Sequence, residues 1–391
     1  GIRDSSTSRG LGDVYKKTVK KAVPVRDYEG LKPYVDKMLE GNSDVLWPGK
    51  PLYYAKTSGT TSGVKHIPIS KESMPAHIQA ARDALLNYIH ETGNADFVKG
   101  KQIFLQGSPI LDKKGDSTFG RLSGIVAHYV PKYLQKTRMP SWETNCIEDW
   151  ETKVDLVVEE TISENMTLIA GIPSWVQMYF EKLIEKSKKP VGELFKNFSL
   201  FVYGGVNYEP YRPLFEELIG KKLDSIELFP ASEGFFAYQD QQNKKGLLLL
   251  VNHGIFYEFI EAAQFFEESP KRISLEEVKL DVNYVLIITT TAGLWAYNIG
   301  DTVKFVSLTP CRIVVTGRIK HFISAFGEHV IGKEVETAIE KACLGTSIQV
   351  KEFTVAPQIK PENGLPYHEW FVDFVNPPVD FNKFAEDLDL S

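Results

Sequence analysis

Hydrophobic and polar positions along the chain follow two different periods, and the change between them divides it. Residues 52–56 (LYYAK) and 66–69 (HIPI) read as short strands on either side of a connection rich in hydroxyls and glycine. Ser70 then reads as an N-cap; Ile78, Ala81, Leu85 and Ile89 share a helical face, and Gly93 is the stop. Two more helices are expected between 147 and 189. Trp150, Val154, Val157 and Thr161 stripe the first; Pro173 opens the second, which carries Trp175, Tyr179 and Leu183. An apolar strand, 200–203, runs into Gly204-Gly205, a helix follows over 210–219, and a strand at 225–229 leads to Pro230-Ala231-Ser232-Glu233-Gly234. Strand, helix, strand in that order predicts a parallel α/β sheet.

From residue 235 the pattern turns to β. Strands are expected at 247–251 and 255–260, with Asn252-His253-Gly254 as a hairpin turn between them. Residues 284–290, 303–307 and 312–316 are also β-rich, and Gly317 ends the block. Beyond about 320 a helix (333–343), a strand (348–355), a strand with Trp370, Val372 and Phe374 inward, and a helix beginning at 381 form a small α+β unit. Its last helix reads as cut short at Ser391. The first fifty residues are basic and polar, then aromatic, and end in the turn cluster Trp47-Pro48-Gly49-Lys50-Pro51.

Composition narrows the function classes. A chain of 391 residues, 43% hydrophobic and 25% charged, has the balance of a globular protein of two or three domains. Its 45 basic and 51 acidic residues leave a net charge of −6, without the positive field of a general nucleic-acid binder. The longest tight apolar run, 247–251, is strand-sized, which excludes a membrane helix, and the first thirty residues hold no signal-peptide core. A cytoplasmic, membrane-free monomer is expected. Cys146, Cys311 and Cys343 are far apart and read as buried reduced thiols, and the eight histidines form no metal set.

Four segments could carry chemistry. Thr57–Lys65 holds five hydroxyls, two glycines and a lysine, suited to phosphate oxygens. It is no Walker A loop, because Gly59 and Gly63 stand too close and a strand follows, and a plain Ser/Gly turn is the alternative. Glu233 stands just past a parallel strand, where open α/β sheets bind ligands; it could hold Mg²⁺ or be a solvated acid. Gly204-Gly205 likewise follows a strand and could be only a tight turn. Tyr297-Asn298-Ile299-Gly300-Asp301 places a carboxylate beside a glycine turn, fit for ribose hydroxyls or for an ordinary β-turn.

Taken in order, these pieces resemble the adenylate-forming superfamily. A fifth settles the likeness: Gly317-Arg318-Ile319-Lys320, then Ile323, Gly327-Glu328, Val330 and Glu334-Val335-Glu336, which match the superfamily's hinge signature. Within it the chain is most similar to the auxin-responsive (Gretchen Hagen type) acyl-acid amido synthetases, particularly bacterial members. The cues are Val25-Arg26-Asp27-Tyr28-Glu29, Leu31-Lys32-Pro33-Tyr34, Leu46-Trp47-Pro48-Gly49, Gly204-Gly205-Val206-Asn207 and Pro230-Ala231-Ser232-Glu233-Gly234-Phe235-Phe236. Phe229 departs from the family's usual tyrosine. The chain also reads as lacking a leading segment and a C-terminal portion, so the superfamily's late catalytic lysine is not assigned.

The resemblance implies a large adenylation domain over 1–317, with parallel sheets and a β-rich subdomain, a hinge at 318–320, and a small α+β domain over 321–391. It implies ATP and Mg²⁺ as cofactors, with a carboxylic acid and an amino acid as substrates joined through an acyl-adenylate. Thr57, Ser58, Gly59, Thr60 and Thr61 would hold phosphates, with Lys65 as a nearby catalytic charge. Gly205, Val206, Phe229, Ala231 and Ser232 would border adenine, Glu233 would hold the metal, and Asp301 the ribose. Arg318 would reach ribose or phosphate, Lys320 would be the pivot, and Arg121, Trp175 and Met178 could line an acyl pocket. The alternatives are an acyl-CoA ligase and a catalytically silent nucleotide- or acyl-binding relative.

Overall fold

The structure, a computed structural model, describes residues 20–57, 64–206, 208–319, 323–325, 328–330, 332–358 and 367–389. Within the first fifty residues lies a helix that the sequence pattern did not reveal, Tyr28–Leu39, with Asp27 as its N-cap. It carries Pro33 inside and buries Tyr28, Leu31, Val35 and Met38. Strands β1 (Tyr53–Thr57) and β2 (Lys65–Ile69) pair antiparallel. They share a four-stranded sheet with β4 (Asp112–Lys114) and β5 (Ser117–Gly120), and the order across it is β2-β1-β5-β4.

The parallel half comprises β3 (Lys101–Phe104), β6 (Arg138–Met139), β7 (Met166–Ala170), β8 (Leu200–Gly204) and β9 (Asp224–Ala231). Neighbouring strands run parallel in the order β9-β8-β7-β3-β6. Helices cover both faces, as buried parallel strands require. Helix Met74–Thr92 packs Ala80, Ala84 and Tyr88 on one face, against Leu168, Leu200, Val202 and Ile226. On the other, helices Trp150–Thr161 and Pro173–Ser187 bury Val154, Val157, Tyr179, Phe180 and Leu183 against Ile103, Ile169 and Phe201.

The antiparallel half continues the same sheet. Its strands are β10 (Gly234–Tyr238), β11 (Leu247–Leu249), β12 (Ile255–Glu261), β13 (Arg272–Ser274), β14 (Asn283–Thr290), β15 (Tyr297–Leu308) and β16 (Cys311–Arg318). From β9 the order runs β10-β11-β16-β15-β14-β12-β13, giving twelve strands among the described residues. The expected parallel sheet and β-rich subdomain are thus one continuous sheet. Their joint is the β9–β10 hairpin, in which Ala231 pairs with Gly234 and only Ser232 and Glu233 make the turn.

Beyond β16 lie the short pair β17 (Ile323–Ala325) and β18 (Glu328–Val330), then helix Gly332–Cys343. The long antiparallel pair β19 (Gln349–Gln358) and β20 (Tyr367–Asn376) follows, and helix Phe381–Asp389 closes the small unit. Trp370, Val372 and Phe374 pack against the two helices, as their alternation predicts.

Five expectations are corrected. Ser70 Oγ does accept the amides of Glu72 and Ser73, but a turn intervenes and the helix begins at Met74 with Ser73 at its cap. That helix buries His77, Ala80, Ala84 and Tyr88, one position round from the predicted face; Ala81, Leu85 and Ile89 flank it, because small alanines allow the closest approach. Residues 252–254 are no hairpin turn: β11 pairs with β10 and β16, β12 with β13 and β14, so the segment crosses between distant strands. Strand β16 runs through Gly317 to Arg318 instead of ending before it. The three cysteines are free and partly buried, where full burial was expected. Among the described residues no helix is long and apolar enough to cross a membrane.

Candidate active site

Thr57 ends β1 and pairs antiparallel with Lys65 at the start of β2. Ser58, Gly59, Thr60 and Thr61, four of the expected phosphate ligands, lie outside the described residues, as does Lys320. Lys65 Nζ sits 5.6 Å from the ring centroid of Tyr28. The next amide, of His66, donates to Tyr28 Oη at 2.9 Å.

The C-terminal ends of β8 and β9 lie side by side. Gly204 is opposite Leu228, and a Cβ on Gly204 would come within 2.6 Å of the Leu228 carbonyl, so only glycine permits this approach. Gly205 and the exposed Val206 continue from there beside Phe229, whose ring meets Phe236 edge-on at 5.1 Å. Ala231 and Ser232 lead to Glu233 in the tight turn between the two halves of the sheet.

Glu233 has its pKa raised to about 6, first by burial and then by the negative charge of Asp301; Lys65 and Arg318 pull the other way. Those four groups therefore share one electrostatic neighbourhood. Asp301 is raised to about 6 as well, by burial, with Arg318 opposing. Two carboxylates that are difficult to ionise beside each other suit a hard cation and a polyol better than a bare cavity. Among the described residues no cluster of three or more His, Cys, Asp or Glu could hold a metal ion, so a cation here would draw its remaining oxygens from its ligand.

Asp301 is not in a turn between strands, as its Gly-Asp context suggested. It lies within β15 at a bulge: Ile287 pairs with Asn298 and Val285 with Thr302, so residues 299–301 are out of step with β14. Gly300 takes φ +89°, and a Cβ there would meet Arg318 Nη2 at 3.0 Å. The bulge lets Arg318, opposite Asp301 on β16, reach back across the strand. Its Nη2 donates to the Ile299 carbonyl at 2.8 Å and its Nη1 lies 3.4 Å from Asp301 Oδ1.

The expected acyl residues divide. Trp175 and Met178 meet at Trp150, whose indole stacks on Trp175 at 4.5 Å and donates to Met178 Sδ at 3.3 Å. Arg121 is exposed on a separate element, the start of helix Leu122–Ala127, with its stem against Gly107. Between these groups lies Lys153, one turn beyond Trp150 and almost fully buried, donating to the carbonyls of Gln106 and Asn145 at 2.9 and 2.7 Å. Burial lowers its pKa to about 8, and Arg121 adds to the effect. Lys153, Trp150 and Tyr28 escaped sequence reasoning as site residues. A lysine on an otherwise apolar helical arc was the available signal for Lys153.

Comparison with known proteins gives the same reading of the fold. The GH3 family N-terminal domain matches residues 9–106, and the GH3 family central domain matches residues 248–318. A jasmonoyl–L-amino acid synthetase, JAR4 of Nicotiana attenuata, is 22% identical over 422 residues, covering 88% of this chain and 71% of its own. The solved structure of the GH3.15 acyl acid amido synthetase superposes with a TM-score of 0.74 at 15% identity, covering 95% of this chain and 75% of its own. A 2-hydroxyisobutyryl-CoA ligase with its acyl-AMP superposes at 0.57 and 14% identity, covering 90% and 68%. Two domain models of one family match in chain order, on a fold similar to that of a solved GH3 acyl acid amido synthetase, so the chain is similar to the GH3 family over these two regions.

Proposed function

We propose that the chain is an ATP-dependent acyl-acid amido synthetase. The carrying observation is the electrostatic neighbourhood that Glu233 shares with Asp301, Lys65 and Arg318, in a chain similar to this family. In the first half-reaction a carboxylate oxygen attacks the α-phosphorus of ATP, and the bond to pyrophosphate breaks. In the second, an amino acid's amine attacks the acyl carbon, loses a proton and expels AMP. The protein need supply positioning and charge rather than a nucleophile.

Thr57 and the hydroxyls of residues 58–61, with Lys65, would hold the phosphates. Gly205, Val206 and Phe229 would border adenine, and Asp301, aimed by Arg318, would accept from the ribose hydroxyls. Mg²⁺ held by Glu233 would screen the triphosphate from the incoming carboxylate. Lys320 would be the pivot on which the small unit turns between half-reactions. Trp150, Trp175 and Met178 offer an apolar wall for the acid. The deciding experiment is amino-acid-stimulated release of AMP across a panel of carboxylic acids, with and without coenzyme A. Release that needs coenzyme A instead of an amino acid would make the chain a thioester-forming ligase.

Asp301→Ala is expected to weaken ATP binding by about 1–3 kcal/mol, the scale of lost charge-assisted hydrogen bonds. Affinity for inorganic tripolyphosphate, which has no ribose, should barely change. Equal losses for both ligands would show that the substitution acts through the fold.

A further inference from the structure

We propose that Tyr28 is a positioning residue for Lys65, and that the segment Val25–Tyr28 couples this lysine to the strand that carries Asp301. The proposal rests on the phosphate-binding reading of Lys65. Lysine has a flexible four-carbon stem, and an unrestrained ammonium spends little time in any one place. Here its Nζ stands 5.6 Å from the Tyr28 centroid, within cation–π range. Tyr28 is itself fixed at three points. It is 5% exposed in the main core, it opens a helix capped by Asp27, and its hydroxyl oxygen accepts the His66 amide at 2.9 Å. One side chain thus grips both the lysine and the backbone that follows it.

The residues before Tyr28 reach the other side of the site. The Arg26 amide donates to the Ala296 carbonyl at 3.1 Å, and the Asn298 amide donates back to the Arg26 carbonyl at 2.8 Å. Asn298 Oδ1 in turn accepts the Gly300 amide at 2.9 Å, at the bulge beside Asp301. A single residue, Asp27, therefore separates the lysine's aromatic seat, Tyr28, from Arg26, which is bonded to the ribose carboxylate's strand. A ligand that spans from ribose to terminal phosphate bridges the two ends of this brace. The brace sets the separation of the two ends before the ligand arrives, which raises the competent fraction and lowers the apparent Kd in proportion.

The test is a double-mutant cycle on ATP affinity in the whole chain, with folding checked by melting curve. Lys65→Ala should weaken ATP by about tenfold, as loss of a charged hydrogen-bonding partner does. Tyr28→Leu should weaken it about three- to tenfold, the range for a partly shielded cation–π seat. In the Lys65→Ala background, Tyr28→Leu should add less than about twofold, because the side chain it positions is gone. Tyr28→Phe keeps the ring, should stay closer to wild type than Leu, and carries the same cycle through the lost His66 bond if Leu does not fold. Additive losses in the cycle would overturn the proposal and leave Tyr28 a core residue. Unchanged ATP affinity in Lys65→Ala alone would overturn it together with the phosphate role of Lys65.

Discussion

Glu233→Gln is expected to abolish Mg²⁺-dependent pyrophosphate exchange, by at least about a hundredfold at limiting metal, while the protein becomes more stable. A neutral amide is a poor ligand for a hard cation, so the first half-reaction loses its charge screen. The stability gain follows from linkage. In the metal-free fold the Glu233 carboxyl keeps its proton up to about pH 6, against 4.5 ordinarily. The native state therefore binds more protons than the unfolded chain across that window, and stability falls as pH rises through it. Above pH 6 the cost is fully present, up to about 2 kcal/mol for a shift of that size. Glutamine removes the cost. The variant's melting temperature should match wild type near pH 4 and exceed it at pH 7, and both measurements are made without metal. Exchange near the wild-type rate at limiting Mg²⁺ would remove Glu233 from the metal role, whatever the melting curves show.

Asp240→Ala should have the largest effect on folding, about 3–5 kcal/mol by urea unfolding, the cost of breaking a buried ion pair from one side. Arg312 on β16 faces Asp240 just beyond β10, each less than a tenth exposed. Its Nε donates to Asp240 Oδ1 at 2.9 Å, and its Nη2 pairs with Oδ2. Asn87 on helix Met74–Thr92 donates to the Asp240 carbonyl, so one residue ties the helix, β10 and β16 together. The double variant Asp240→Leu/Arg312→Met should recover most of the loss, because no charge is then left unpaired. A single-variant loss under about 1 kcal/mol would show that water reaches the abandoned guanidinium.

Local signals carried much of the fold. The stripes of Trp150–Thr161 and Pro173–Ser187, the alternation of Trp370, Val372 and Phe374, and the strand that delivers Glu233 were all legible, because each depends on neighbours a few residues away. Errors arose where the partner is distant. Asn252-His253-Gly254 has the composition of a hairpin turn, yet β11 and β12 find partners elsewhere in the sheet, a choice made by burial across the fold. Gly300-Asp301 looks like a turn because a bulge needs the same positive φ. The helix Tyr28–Leu39 was hidden by its internal Pro33. Glu233 and Asp301 were found as residue types, but that they share a field with Lys65 and Arg318 emerged only in three dimensions.

The stitching of residues 23–47 onto the central strands bears on how the chain acquires its fold. Val23 accepts from Arg272, Leu46 from Trp295, and Arg26 pairs with Tyr297. These contacts span about 250 residues or more of sequence, which makes them slow to form and dependent on synthesis as far as β15. The two regions that match separate family domains, 9–106 and 248–318, share one hydrophobic core through Leu31, Ile67, Tyr257 and Tyr297. They are one cooperative unit interrupted by the parallel half of the sheet. A nascent chain that has not yet emerged past β15 lacks the strand to which the segment before helix Tyr28–Leu39 is hydrogen-bonded, and with it Asp301. Ligand-dependent protease resistance should therefore arise in a single step as translation passes that point, and neither matched region should be recoverable alone as a folded fragment.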